Sequence, residues 1–246
     1  MNEMVKSIRE RYLAALDKIA SAASRSGRSP DAVKLVVVTK SQPVEVAKAA
    51  IEAGAVILGE NYAEEGVTKI QSLQNFSAVE WHMIGHVQSR KAPLVAGHFN
   101  FMHSLDSLKL AKKLDRFCGE AGRVLPVLLE FNVGGEESKG GWEASDEARW
   151  AGLVQEISEV LTMPNLRVRG LMSMPPLGED AEFSRPYFQK LRRLRDYLAS
   201  QLPQVDLSEL SMGTSSDYEV AVEEGATFVR IGTAIVGPRT YKTEPA

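Results

Sequence analysis

The chain has 246 residues, a formal net charge of −3 and a single cysteine, Cys118. A net negative charge argues against a broad nucleic-acid surface, and one cysteine excludes an intrachain disulfide. No apolar run reaches the roughly 20 residues of a membrane span, and the N-terminus lacks the apolar segment of a signal peptide. We therefore expect a cytoplasmic globular protein without nucleic-acid or membrane partners, and we expect Cys118 to be a small buried residue.

The predicted elements begin with an N-terminal amphipathic helix over about 2–24, because apolar residues recur there at helical spacing. Short apolar runs after residue 30 predict eight strands, over 34–40, 56–60, 79–85, 99–105, 125–133, 168–174, 207–212 and 227–236. Helical patterns between them cover 44–53, 62–73, 90–95, 108–121, 146–161, 186–202 and 217–224.

This alternation of strands and helices predicts a parallel sheet. An open doubly wound sheet would normally carry a Gly-x-Gly-x-x-Gly turn after an early strand, and none follows the first strand here. Eight strands and a length near 250 residues favour the closed alternative. We predict a single domain, 1–246, that is a TIM-type (β/α)8 barrel over about 34–238 with an extra N-terminal helix.

Lys40 closes the first predicted strand, and active sites of such barrels lie at the C-terminal ends of the strands. A lysine at the barrel mouth is partly desolvated, which lowers its pKa and makes a neutral amine available to attack an aldehyde. The alternative is a lysine whose ammonium group reaches into solvent at a strand end. Position alone favours this second interpretation.

Two loops rich in glycine and hydroxyl groups follow the last two strands, where barrels often bind phosphate. A glycine-hydroxyl turn that leads into a helix offers N–H and hydroxyl donors to an anion, although for one turn alone an ordinary helix cap is the better explanation. Two such loops at adjacent strands, opposite a strand-end lysine, are more specific than either alone. The candidate phosphate ligands are Ser211, Gly213, Thr214, Ser215, Gly232 and Thr233.

Arg230 stands within the apolar run of the eighth strand, where a buried guanidinium needs a partner. Either it forms a structural ion pair with Glu60 or Glu130, or it donates a hydrogen bond to a ligand. Asn61 ends the second strand and is a candidate ligand contact. His82, in the third strand, is either a further contact or a barrel-interior histidine with satisfied ring nitrogens. The histidine spacing matches no metal pattern, so no metal is predicted.

The ordered set of these segments resembles the YggS/PROSC family of pyridoxal phosphate homeostasis proteins. The matching segments span nearly the whole chain and are 37–40 (VVTK), 59–62 (GENY), 81–88 (WHMIGHVQ), 211–213 (SMG) with Asp217, and 230–235 (RIGTAI) with Gly237. Where the family often has Met-Gly-Met-Ser, this chain has Met-Gly-Thr-Ser at 212–215, so Thr214 stands in place of a methionine in the predicted phosphate loop.

The resemblance implies a barrel similar to the N-terminal domain of alanine racemase, with pyridoxal 5′-phosphate (PLP) held as a Schiff base on Lys40. It also implies that Asn61 lies near the cofactor, that the two loops bind its phosphate, and that Arg230 faces the pyridine nitrogen. Arginine donates but does not accept protons, so that nitrogen would be unprotonated and the cofactor a weaker electron sink.

We therefore expect a role in intracellular PLP homeostasis and cofactor supply, with PLP-dependent apoenzymes as recipients, rather than efficient turnover. The alternative is a PLP-dependent amino-acid racemase of low activity. Alanine racemases take a second base from a C-terminal domain and a partner subunit, which we do not expect in a sequence ending at Ala246. Tyr62, Tyr218 and Tyr241 are not placed as that base, and a monomer is compatible with its absence. The interval 175–182 fits both a mobile lid and a static connection.

Overall fold

A closed barrel of parallel strands forms the centre of the molecule. The computed structural model describes residues 2–136, 138–176 and 178–238. The strands in this part of the chain are β1 (Lys34–Val38), β2 (Ile57–Glu60), β3 (Glu80–Met83), β4 (Phe101–Leu105), β5 (Leu125–Asn132), β6 (Trp142–Glu143), β7 (Leu166–Met172), β8 (Glu209–Ser211) and β9 (Phe228–Ile231).

The strand order around the barrel is β4-β3-β2-β1-β9-β8-β7-β5, and a β4–β5 pairing closes the ring. Every pairing is parallel, and the two-residue β6 only extends the end of β5. The predicted TIM-type (β/α)8 barrel is therefore confirmed. In this ring β1 and β5 stand on opposite sides.

Helices surround the barrel on its outer face. Those in the described residues are α1 (Glu3–Arg25), α2 (Val44–Glu52), α3 (Ala63–Ser72), α4 (Ala92–His98), α5 (Leu108–Glu120), α6 (Trp150–Leu161), α7 (Arg185–Gln201), α8 (Tyr218–Glu223) and α9 (Thr233–Val236). Four short 3-10 helices lie at Pro30–Ala32, Ser89–Lys91, Glu147–Arg149 and Ala181–Ser184. No helix among the described residues is long and apolar enough to cross a membrane.

Two apolar cores result, because successive residues of a strand point to opposite faces of a sheet. One core lies between the outer faces of the strands and the helices, and it includes the fully buried Cys118. The other fills the barrel interior with Val36, Ile57, Leu128, Met172 and Phe228. Strands that are buried on both faces have the continuous apolar character from which they were predicted.

The extra N-terminal helix is also confirmed. Asn2 caps α1 by accepting a hydrogen bond from the Met4 amide at 3.1 Å, and the helix packs against α2, α8 and α9. Its Arg11 Nε donates to the Ile235 carbonyl at 2.5 Å. Through this contact α1 supports the segment that follows the last strand.

The predicted end of the last strand was wrong, and one short strand was missed. The last strand ends at Ile231 instead of 236, because the chain turns at Gly232 and enters α9. The aliphatic residues Ile235 and Val236 favoured a longer strand, but they belong to that short helix. The sequence also gave no sign of β6, in which Trp142 pairs with Phe131.

Candidate functional site

A cavity of about 400 Å³ opens at the C-terminal ends of the barrel strands. This is the end at which barrels of this type carry their active sites, and the volume lies in the range of small-molecule pockets. The lining comes from the ends of seven strands and consists of Val38, Lys40, Asn61, Ile84, Gly85, His86, Glu130, Met174, Thr214, Ser215, Ser216, Arg230, Gly232 and Thr233.

Lys40 lies in a tight turn directly after β1. Its neighbour Ser41 has φ +57°, a left-handed conformation that costs a non-glycine residue of order 1–3 kcal/mol. The turn is closed by the Gln42 amide, which donates to the Thr39 carbonyl at 3.1 Å. The Ser41 amide donates to Glu65 Oε1 at 2.8 Å. Hydrogen bonds to Thr39 and Ser41, the residues before and after Lys40, thus stabilise the strained turn.

A buried ionic cluster lies under this turn. Lys69 Nζ donates to the Thr39 carbonyl at 2.6 Å, to Glu60 Oε1 at 2.8 Å and to Glu65 Oε1 at 2.6 Å. Thr39 Oγ1 also donates to Glu60 Oε1, at 2.5 Å. Burial raises the pKa of the Glu60 carboxyl, and the adjacent Lys69 ammonium opposes that shift. The cluster ties α3 and β2 to the turn that carries Lys40.

The first predicted phosphate loop lies between β8 and α8. Thr214 donates both its amide and its hydroxyl to Asp217 Oδ1, at 2.6 and 3.1 Å. The amides of Ser215 and Ser216 donate to no acceptor among the described residues. Because α8 has only six residues, the attraction for an anion would come from these individual N–H and hydroxyl groups.

Gly213 shapes this loop without lining the cavity. Its φ is +91°, and a Cβ there would lie 2.5 Å from the Cβ of Ala221. Its carbonyl accepts a hydrogen bond from the Arg230 amide at 3.0 Å. The second loop joins the first where the Gly232 amide donates to Ser215 Oγ at 3.3 Å. The two loops, at the ends of adjacent strands, are thus joined by a hydrogen bond on one side of the cavity.

Arg230 lies at the floor of the cavity and is only 4% exposed. One terminal nitrogen donates to Ser211 Oγ, and the other donates to the Ser173 carbonyl at 3.0 Å and to Met174 Sδ at 2.8 Å. Burial lowers the pKa of Arg230 to about 10, so the guanidinium stays charged at neutral pH.

Of the two alternatives for Arg230, the ion pair with Glu60 or Glu130 is not formed. No carboxylate among the described residues lies within salt-bridge distance of Arg230, and Glu130 and Asp217 act on its charge only from farther away. Neutral acceptors, two oxygens and the Met174 sulfur, hold the guanidinium, because the strand registers place Ser211 and the carbonyl end of β7 beside it.

His82 and Ser211 are fully buried below the cavity and do not line it. Ser211 contacts Arg230 directly, whereas His82 lies deeper and hydrogen-bonds to His103 at 2.9 Å. Both ring nitrogens of His82 have partners, as in the barrel-interior interpretation of this residue. Of the predicted site residues, seven line the cavity: Lys40, Asn61, Thr214, Ser215, Arg230, Gly232 and Thr233.

Sequence reasoning missed an acid–base group on the opposite wall of the cavity. Glu130 lines the cavity from β5, and burial together with the nearby Asp106 raises its pKa to about 7. Beside it, His86 Nδ1 lies 2.6 Å from Asp106 Oδ2. Glu130 interrupts an apolar strand just as Arg230 does, and that interruption was the available signal.

Gly85 sets the position of Asn61. A Cβ at Gly85 would lie 2.5 Å from the Asn61 carbonyl oxygen and 2.6 Å from its Cα. The ends of β2 and β3 approach this closely only because residue 85 has no side chain. Asn61 is thus held at the rim of the cavity.

Comparisons with known proteins agree with this architecture. The family model described as "Alanine racemase, N-terminal domain" matches residues 13–240. A curated protein of Aquifex aeolicus, named pyridoxal phosphate homeostasis protein, is 42% identical over 94% of this chain and 98% of its own.

Two kinds of solved structure are also similar. The structure of PipY from Synechococcus elongatus with PLP bound is 36% identical, has a TM-score of 0.74 and covers 89% of this chain and all (100%) of its own. An alanine racemase of Clostridium difficile is 19% identical with a TM-score of 0.68, covers 94% of this chain and 56% of its own, and shows the shared fold alone.

The fold and the site thus define a barrel of the alanine racemase N-terminal type. Within that class, the chain belongs to the family of pyridoxal phosphate homeostasis proteins.

Proposed function

We propose that this chain binds PLP as a Schiff base on Lys40 and acts in PLP homeostasis rather than in efficient turnover. The observation that carries the proposal is the convergence of Lys40, the Ser215 loop and Arg230 on one cavity. A PLP-bound structure of a homologue supports the same ligand. PLP-dependent apoenzymes are the proposed recipients, and a cytoplasmic location follows from that role.

The cavity groups match the functional groups of PLP. Lys40 offers an amine to the aldehyde, and Ser215 and Ser216, which line the same cavity, offer hydroxyl and amide groups as donors for a phosphate. Arg230 offers a cation below them. We assign Asn61, Gly232 and Thr233 to the same ligand, with Ser211 and Gly213 supporting Arg230 and the phosphate loop.

Arg230 favours binding over turnover. PLP supplies an electron sink for a carbanion when its ring nitrogen is protonated. Arg230 is held by acceptors that require it to donate, so it would meet the nitrogen as a donor and leave it unprotonated. In this arrangement Arg230 helps to bind PLP but makes it a weaker electron sink for a carbanion.

Borohydride reduction followed by peptide mapping tests the proposal. PLP added to the purified protein should give a visible absorbance band, and reduction should leave the pyridoxyl group on Lys40. Lys40→Ala should lose the band, whereas Lys48→Ala, on the exposed side of α2, should keep it. A Lys40→Ala protein with an unchanged spectrum, or a label on another lysine, would refute the assignment.

Racemase chemistry is the second candidate, favoured by one observation. Glu130, whose pKa is raised to about 7, enters the cavity from β5, across the barrel from β1, the strand that Lys40 follows. A proton donor and acceptor on each face of a substrate is what racemisation requires. Deuterium exchange at Cα of L-amino acids separates the two functions. Rapid exchange that depends on both Lys40 and Glu130 and forms the D-amino acid would show that the protein is a racemase, and would overturn the proposed role in homeostasis.

A further inference from the structure

A line of hydrogen bonds crosses the barrel interior from Arg230 to the opposite end. Arg230 donates to Ser211 Oγ, and Ser211 Oγ lies 2.8 Å from His103 Nδ1. His103 Nε2 lies 2.9 Å from His82 Nδ1, and His82 Nε2 lies 3.1 Å from Glu80 Oε2. Glu80 begins β3 and its side chain is 59% exposed. The line therefore joins the floor of the cavity to solvent at the N-terminal end of the barrel.

The chemistry of its first member fixes the direction of every proton in the line. Arginine can only donate, so Ser211 Oγ accepts from it. The Ser211 hydroxyl proton then has one acceptor among the described residues, His103 Nδ1. His103 must carry its proton on Nε2 and donate it to His82 Nδ1. His82 in turn carries its proton on Nε2 and donates it to Glu80.

Burial keeps both imidazoles neutral in this arrangement. His82, His103 and Ser211 are fully buried, and desolvation lowers the pKa of His82 and lowers that of His103 still further. The imidazole rings pack against Phe101 and Phe228 with centroid separations of 4.9 to 5.8 Å. Among the described residues the ring nitrogens have no other hydrogen-bond partners, so the direction of the line is fixed.

Among the described residues, the charged groups that bear on the two rings are Glu80 and Arg230, at the ends of the line, and Lys34. Lys34 Nζ pairs with Glu209 Oε1 at 2.7 Å and lies over the Phe228 ring at 4.5 Å from its centroid, among the described residues. It disfavours a positive charge on either histidine, as does Arg230 on His103. Glu80 favours the donating Nε2–H group of His82.

We propose that His103 and His82 are positioning residues that hold Arg230 through Ser211 and couple it to the Glu80 carboxylate. This inference rests on the proposed function, because it assigns the target of Arg230 to the pyridine nitrogen of PLP. A chain of aligned hydrogen bonds strengthens each of its members. A fixed Ser211 hydroxyl offers its lone pairs to Arg230 in one orientation, so the guanidinium keeps its other donors aimed at the cavity.

The first test needs no ligand. Nitrogen-15 spectra of the apo protein, with signals assigned by His82→Gln and His103→Gln, should show both rings as neutral Nε2–H tautomers. An Nδ1–H tautomer or a protonated ring at neutral pH for either residue would overturn the proposed direction.

The second test compares two variants at His103, of which only one keeps an acceptor for the Ser211 hydroxyl. An asparagine oxygen occupies nearly the position of Nδ1, so His103→Asn keeps the bond from Ser211, whereas His103→Leu removes it. We expect His103→Leu to weaken PLP binding about tenfold and to shift the visible band, and His103→Asn to stay within about twofold of the parent. Equal affinity and an unshifted band in a folded His103→Leu protein would overturn the proposal.

A variant at the exposed end covers the case in which His103→Leu does not fold. Glu80→Gln removes a charge at the far end of the barrel, and we expect it to shift the visible band of bound PLP in the same direction by a smaller amount. Glu52→Gln, an exposed carboxylate on α2, should leave the band in place. An unshifted Glu80→Gln band would refute the coupling. If the parent protein itself gives no Lys40-linked band, the proposed function fails instead.

Discussion

Lys69 and Glu60 form an ion pair of 2.8 Å in which the two side chains are 2% and 0% exposed. The same ammonium holds the Thr39 carbonyl, one residue before Lys40. Glu60 Oε2 has no hydrogen-bond partner among the described residues, so the carboxylate depends on Lys69 and Thr39 through its other oxygen. The pair thus links the stability of the barrel to the position of the candidate Schiff-base lysine.

Replacing Lys69 by methionine should therefore destabilise the protein severely. Methionine has a similar volume but leaves Glu60 buried without a counter-charge, which typically costs 3–5 kcal/mol. Urea unfolding measures the loss. Lys91→Met is the matched control, because Lys91 pairs with Glu64 at the surface and such pairs contribute about 0–1 kcal/mol. The double variant Lys69→Met with Glu60→Gln should recover part of the stability. Equal effects of Lys69→Met and Lys91→Met would contradict the role given to burial.

Gly213→Ala should lower both stability and ligand affinity. The added Cβ would lie 2.5 Å from Ala221 Cβ, and φ is +91°, so both strain and collision oppose it. We expect a loss of at least about 2 kcal/mol in the free energy of unfolding and weaker PLP binding, because Thr214 must move with its neighbour. Titration of the visible band and thermal unfolding report the two effects.

Gly97→Ala provides the control for that substitution. Gly97 lies in α4, and a Cβ there meets nothing within 4 Å. Alanine should be neutral or stabilise the helix by up to about 1 kcal/mol. A Gly213→Ala protein that behaves like Gly97→Ala would show that the turn tolerates a side chain.

The sequence predicted the barrel and the strand-end residues because both depend on local patterns. Lys40 and Asn61 end apolar runs, and in a parallel barrel that position alone places them at the mouth. The interactions of Lys69 and Glu130 could not be predicted in this way. Lys69 bonds across to β2 and to the Lys40 turn, and the pKa of Glu130 depends on Asp106 after β4, which the barrel closure brings beside β5.

His82 shows a related limit of sequence patterns. Its place in the third strand was clear, but its depth in the barrel was not, since depth follows from strand tilt and register. The structure places Ile84 and Gly85 at the mouth and His82 below them. A shift of two residues along a strand is enough to turn a candidate ligand contact into an interior residue.

The buried histidines should make the protein sensitive to mild acid. Their pKa values are lowered in the folded state, so the unfolded state binds protons first as the pH falls below about 6.5. Stability is complete above that value and falls by up to about 1.4 kcal/mol per pH unit for each histidine below it. Urea unfolding at pH 7.5 and pH 5.5 measures this slope. In His82→Gln the difference between the two pH values should shrink, and an unchanged difference would exclude His82 as a contributor.

Glu130 should have the opposite pH dependence. Its pKa is raised to about 7 in the folded protein, so folding favours its protonated form. The stabilising effect of that proton is complete below the unfolded pKa, near 4.3, and is lost as the pH rises through 7. Because glutamine cannot ionise, Glu130→Gln should have the same free energy of unfolding as the parent at pH 4.5. At pH 8 its free energy of unfolding should be higher by about 2 kcal/mol, which is less than the full pKa shift implies because solvent in the open cavity screens the charge. The difference between the two proteins isolates Glu130 from the histidines, since both carry the same imidazoles. If Glu130→Gln and the parent were equally stable at pH 8, the Glu130 carboxylate would be well solvated at the cavity wall. That result would remove the main support for Glu130 as a proton acceptor opposite Lys40.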